Sequence, residues 1–166
     1  MTSCVITLAT SKGGAGKSTL ARNLAAHWIN IGMKVAVIDA DPQGSIINRH
    51  DPLGLLSKLT VVAEPEESVS EVIEEFRKEY NYIIVDTGGF RNRTTVRALV
   101  STDIAIIPLK PSADDVAGAL ETYNLVKELN SDSCHVIDNL HELLCIYYYF
   151  ILIQILTYIF HIFLLL

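Results

Sequence analysis

The chain has 166 residues, half of them apolar, and a formal net charge of −6. That length suits one domain with a sizeable core, and the acidic balance excludes a protein that is basic throughout, though not a local basic patch. Cys4, Cys134 and Cys145 are scattered, with no C-x-x-C pair and no histidine at metal-ligand spacing, the pattern of incidental thiols in a reducing cytosol.

In chain order, "CVITLAT" (4–10) is a strand-like apolar run, too short and without the basic flank of a signal peptide. It ends at "SKGGAGKST". The segment beyond places Leu20, Leu24, Trp28 and Ile31 on one helical face, with Gly32 as the stop. "KVAVIDAD" (34–41) is a second buried strand and "LTVVAE" (59–64) a weaker third. "SVSEVIEEFRKEY" opens with a capping box, Ser68 with Glu71, and carries Val69, Val72, Ile73, Phe76 and Tyr80 as an apolar stripe. "YIIVDTGG" (82–89) and "DIAIIPLKP" (103–111) are further strands. Val116, Leu120, Tyr123 and Val126 then mark another helix. Strands alternating with helices predict an α/β fold, a mostly parallel sheet covered on both faces, with ligands at the carboxyl ends of the strands.

The chemistry gathers at those ends. Gly13, Gly14 and Gly16 let the backbone turn its N–H groups around an anion, and the helix that follows adds its positive end. In such a loop Lys17 reaches the β and γ phosphates, the Ser18 hydroxyl ligates Mg²⁺, and Thr19 donates to a more internal phosphate. Ala15 completes the cradle. Asp39 and Asp41 stand two residues apart at one strand end, and so on one side of an extended chain. Asp86 ends another strand, where a Walker-B carboxylate holds Mg²⁺ through water. The glycines after it fit a segment that senses the γ-phosphate. Arg91, Arg93 and Arg97 form a local basic cluster, read first as a solvated helix face and second as a contact for a partner, phosphate or DNA. His27, His50, His135 and His141 belong to no catalytic constellation.

"SKGGAGKST" with "DADPQGS", "IIVDTGG" and "IIPLKPSADD" resembles the ParA/MinD group of deviant Walker ATPases, on the ParA side that serves plasmid and chromosome partition. The resemblance implies a P-loop NTPase that binds ATP and Mg²⁺. Ser11 stands where the usual first loop glycine would be, and Lys12 follows it as the signature lysine. By this resemblance Lys12 crosses a nucleotide-sandwich homodimer to the partner's phosphates, in the manner of an arginine finger. Lys17 serves its own ATP, Asp41 positions the hydrolytic water, and Ser18, Asp86 and Asp39 form the metal set. Pro111, Ser112 and Asp115 fit the family's "PS..D" stretch, a structural or dimer-facing element. The implied partners are a ParB-like stimulating protein and nonspecific DNA, and the implied location is the cytoplasm, on the nucleoid where DNA binding survives. An iron-protein-like reductase is disfavoured because no cysteines follow the central strands. A MinD-like membrane cycle is disfavoured because no basic amphipathic helix ends the chain.

The resemblance covers residues 3 to 130, giving a partial, C-terminally truncated ATPase domain (1–130), a polar connector (131–142) and an apolar tail (143–166). The tail, "LLCIYYYFILIQILTYIFHIFLLL", has no charged side chain and is long enough to cross a bilayer, which makes a membrane anchor one reading. A misread gene end is the reading preferred over it, and a buried core helix the third. The functional expectation is a dimerisation-dependent ATPase of ParA type. The alternatives are a membrane-anchored MinD-like nucleotide switch and an inactive remnant.

Overall fold

The computed structural model describes residues 3–50, 56–64, 66, 68–88, 92–110, 112–129 and the backbone of 135–138. The apolar runs form β1 (Cys4–Leu8), β2 (Val35–Ala40), β3 (Thr60–Ala63), β4 (Tyr82–Thr87) and β5 (Ile104–Ile107), joined by β6 (His135–Asp138). The helices are α1 (Lys17–Asn30), α2 (Val69–Phe76), α3 (Arg93–Val100) and α4 (Ala113–Leu129). The sheet order is β3-β2-β4-β1-β5-β6, and every pairing is parallel. The expected α/β class is therefore the observed one. The tail at 143–166, with Cys134 and Cys145, lies outside the described residues, and so do Arg91 and Pro111.

Both faces of β1, β2, β4 and β5 are buried, which is why these strands read as continuous apolar runs. Cys4, Ile6 and Leu8 alternate toward α1, where Ala21, Leu24, Ala25 and Trp28 meet them together with Ile84 and Ile106. Val5, Ile38, Ile83 and Val85 face the other way, against Val69 and Ile73 of α2 and Ala98 of α3. Leu125 and Val126 of α4 pack on that second side with Leu99 and Ala105. Trp28 stacks on Tyr82 with ring centroids 4.1 Å apart.

Four local expectations change. Ile31 is 50 % exposed, because it is the cap residue where the chain leaves α1, closed by Met33 N–H donating to the Trp28 carbonyl. The Ser68 side chain makes no cap bond: its backbone (φ −80°, ψ 5°) is not the extended conformation that aims a capping hydroxyl. On α4 the buried face is Gly118, Ala119, Thr122, Leu125 and Val126, while Leu120 is 47 % exposed. Of the expected stripe, Val126 is buried, Val116 and Tyr123 are half-buried and Leu120 faces out, while the small and polar Gly118, Ala119 and Thr122 join Leu125 on the buried face. Finally, the segment expected as a connector over 131–142 contains β6, which pairs with β5 from Ile104↔His135 to Ile107↔Asp138. Its four residues carry only two apolar side chains between polar neighbours, too little to announce a strand.

Candidate phosphate-binding site

The carboxyl ends of β1, β2 and β4 lie side by side, with Leu8 opposite Asp86 and Asp86 opposite Asp39. From β1 the chain passes Ala9, whose N–H bonds the Ile106 carbonyl at 3.1 Å, and Thr10, and then turns into the glycine loop. Gly14 (φ +73°) and Gly16 (φ +93°) adopt left-handed backbone that a side chain would strain. Ala15 is buried at the base of the loop. No side chain caps α1 and no acidic residue occupies its first turn, so its positive end is left for an anion.

Lys17 and Ser18 are half-buried, whereas Lys12, Gly13, Gly14 and Thr19 are exposed. Behind them Asp86 is fully buried, and neither carboxylate oxygen has a hydrogen-bond partner. Burial raises its carboxyl to about 6; the Ser18 hydroxyl lowers it, the Asp39 charge raises it, Lys17 lowers it and Asp41 raises it. An orphaned buried carboxylate is costly. Set beside the Ser18 hydroxyl, it fits Mg²⁺, which takes one or two carboxylates and completes its shell with water and phosphate oxygens. Among the described residues no group of three or more His, Cys, Asp or Glu side chains is placed to hold a metal ion by itself.

Asp39 near the end of β2 and Asp41 just beyond it do different work. Asp39 is buried and accepts three backbone N–H groups: Ile46 at 2.8 Å, Ile47 at 2.9 Å and Asp41 at 3.3 Å. Its carboxylate thereby holds the 41–47 loop. Asp41 is half-buried and accepts the Gln43 N–H at 2.9 Å. Its Oδ1 would stand 3.1 Å from a Cβ at Gly88, which brings it against the segment leaving β4.

Two contacts from the β5–α4 connection escape sequence reading. The Lys110 ammonium would lie 3.7 Å from a Cβ at Gly14, placing a third lysine at the loop. Its neighbours "LKPS" carry no phosphate signal of their own. Deeper in α4, Ser11 N–H donates to Thr122 Oγ1 at 3.1 Å. Ser112 Oγ accepts the Asp115 N–H at 3.1 Å and donates back to the Asp115 carboxylate, so this pair closes the start of α4. Arg93 and Arg97 are exposed on α3. Cys4 is buried in β1, and burial pushes its thiol up to about 12.

A parallel sheet whose first strand feeds a glycine loop and a helix, with an acidic strand end beside it, defines a P-loop nucleotide-binding protein. More narrowly, the chain belongs to the CobQ/CobB/MinD/ParA nucleotide-binding domain family, whose sequence model matches residues 6–143. Protein ParA of Rhizobium radiobacter is 30 % identical over 125 residues, a match covering 75 % of this chain and 56 % of that protein. The chain thus spans little more than half of that relative's length. Among solved structures, a plasmid partition protein of Borrelia burgdorferi superposes with a TM-score of 0.66 at 22 % identity, covering 83 % of this chain and 78 % of that one. The septum site-determining protein MinD of Pyrococcus horikoshii, solved with Mg-ADP, superposes at 0.65 and 17 % identity, covering 81 % of this chain and 68 % of that one. At those identities the two structures speak for the fold.

Proposed function

We propose that this chain is the nucleotide-binding part of a ParA-type partition ATPase, a cytoplasmic switch that hydrolyses Mg-ATP when two copies meet. The observation that carries this reading is the buried, unpartnered Asp86 carboxylate set behind Ser18 and Lys17. The ParA relative supports the choice of partition over other roles in the family.

The loop residues Gly13 to Gly16 and the first turn of α1 surround the β-phosphate with N–H groups, and Lys17 neutralises the β and γ oxygens. Thr19 donates toward the inner phosphate. The Ser18 hydroxyl would hold Mg²⁺ directly and Asp86 through water. Held there, Mg²⁺ would supply positive charge against the charge that develops on the phosphates. Asp39 acts one step back, by holding the loop that carries Asp41. Asp41 orients the attacking water beside Gly88. Lys12, exposed at the mouth, reaches the phosphates of the second copy, so hydrolysis depends on the ATP-bound dimer. A ParB-like protein would stimulate that step, and nonspecific DNA would be held by the dimer.

The test is Mg-ATP binding and turnover by the full chain beside two variants. Lys17→Ala is expected to abolish binding. Lys12→Ala is expected to keep binding and lose turnover, and with it the ATP-dependent dimer in light scattering. Equal binding by wild type and Lys17→Ala would overturn the site. Absence of binding by either would identify an inert remnant of such an ATPase.

A further inference from the structure

We propose that Gly118 and Thr122 of α4 are positioning residues for the signature lysine, forming a seat shaped for Ser11. The inference rests on the reading of Lys12 given above and adds the element that aims it.

Three observations converge. A phosphate loop of the ordinary kind has a glycine where this chain has Ser11, so an extra side chain must be housed at the loop's entrance. A Cβ at Gly118 would overlap Ser11 Oγ and stand 3.1 Å from Lys12 Cγ and 3.6 Å from its Cε. Gly118 therefore leaves the space that Ser11 fills, and the Lys12 stem runs along the same patch of α4. Thr122, one turn on and fully buried, accepts the Ser11 N–H at 3.1 Å while its hydroxyl donates to the Gly118 carbonyl at 2.8 Å. The hydroxyl has one proton to give and gives it to α4, so its lone pair toward Ser11 is fixed as an acceptor. Glycine inside a helix is otherwise unfavourable relative to alanine. The position is held against propensity by what lies opposite it.

The consequence is directional. Ser11 is tied sterically and by its N–H to α4, and Lys12 leaves from that fixed point. A displacement of about 1 Å at a group acting on a reacting phosphate can lower a rate about 100-fold. Gly118→Ala should push Ser11 and Lys12 off the helix by such an amount and lower kcat on that scale, with much less change in the affinity for a fluorescent ATP analogue. Thr122→Val should act in the same direction and Thr122→Ser should restore the wild-type rate.

The experiment combines turnover with amide hydrogen exchange on the full chain. Exchange at Ser11 is expected to rise about tenfold in Thr122→Val, the scale of one lost hydrogen bond, and to return in Thr122→Ser. In a double-mutant cycle, Gly118→Ala is expected to do much less harm on a Ser11→Gly background, where the overlapping hydroxyl is absent. A helix that merely folds badly would lose turnover equally on both backgrounds. Unchanged Ser11 exchange in Thr122→Val, or equal harm from Gly118→Ala with and without Ser11, overturns the seat. If Lys12→Ala turns over like wild type, the role of Lys12 fails instead, while the exchange result still decides whether the seat exists.

Discussion

Asp86 shows how one residue ties stability to ligand chemistry. Its carboxyl is raised from 3.8 to about 6, so the unliganded folded state keeps a proton that the unfolded chain gives up. The unfolded state then binds fewer protons across that window, and stability falls as pH rises from about 4 to about 6, staying low above it. At two pH units this is about 3 kcal/mol at neutral pH. Asp86→Asn is therefore expected to raise the unliganded Tm at pH 7, to flatten its pH dependence between 4.5 and 6.5, and to remove the response to Mg²⁺. A lower Tm for that variant would mean that the carboxylate has a stabilising partner. Lys110 offers a second residue-scale prediction. Its amino group at Gly14 adds positive charge to the loop, so Lys110→Ala should weaken nucleotide triphosphate binding severalfold, less than Lys17→Ala does. It should also reduce the salt dependence of binding, measured by titration at two ionic strengths.

At the scale of elements, the helix starts separate sequence signals from their use. Ser68 with Glu71 has the letters of a capping box, yet Ser68 makes no side-chain cap. Asn92, in extended backbone, does cap its helix: Oδ1 accepts the Thr95 N–H at 2.6 Å. Asn92→Ala is accordingly expected to lower stability by about 1 kcal/mol, whereas Ser68→Ala should be close to neutral. Urea denaturation of both variants checks the contrast, and equal losses would contradict it. The same distinction governs α4. Its helical character was legible from Val116, Leu120, Tyr123 and Val126, and Val126 does lie on its buried side, but Gly118 and Thr122 were not foreseen there. Those two answer the close approach of Ser11, and hydrophobicity does not mark either residue. The four residues of β6 were missed for a related reason: pairing to β5 makes them a strand, and pairing partners are not local.

Across the whole molecule, the parallel topology brings five separated stretches to one edge of the sheet: the loop at 11–19, Asp39 with Asp41, Asp86 with Gly88, Lys110, and Gly118 with Thr122. A nucleotide bridging several of them couples to global stability. At a free ligand concentration of 100 Kd the gain is about 2.7 kcal/mol for one site. Mg-ATP is expected to raise Tm, and with a sandwich dimer that Tm should climb with protein concentration, whereas Mg-ADP should raise it without such dependence. Trp28, the sole tryptophan, buried against Tyr82, reports the transition by fluorescence. A Tm independent of protein concentration with Mg-ATP would argue against dimerisation as the switch.

Five of the six strands, the α/β class, the glycine loop and the three acidic positions were legible in the chain alone. These are local signals: a strand buried on both faces must be apolar along its length, and a backbone wrapped around phosphate needs glycines at set intervals. That Asp39 accepts backbone N–H groups while Asp86 has no hydrogen-bond partner became visible only in the folded chain. Nothing in "DAD" or "VDT" distinguishes a satisfied carboxylate from an orphaned one, because the donors arrive from residues 41 to 47 and from the packing of neighbouring strands. The tertiary structure alone brought Lys110 to Gly14 and Gly118 to Ser11, across about a hundred residues of chain. Such contacts depend on complementary shape between distant segments, which the side chains express only once the sheet has placed them together.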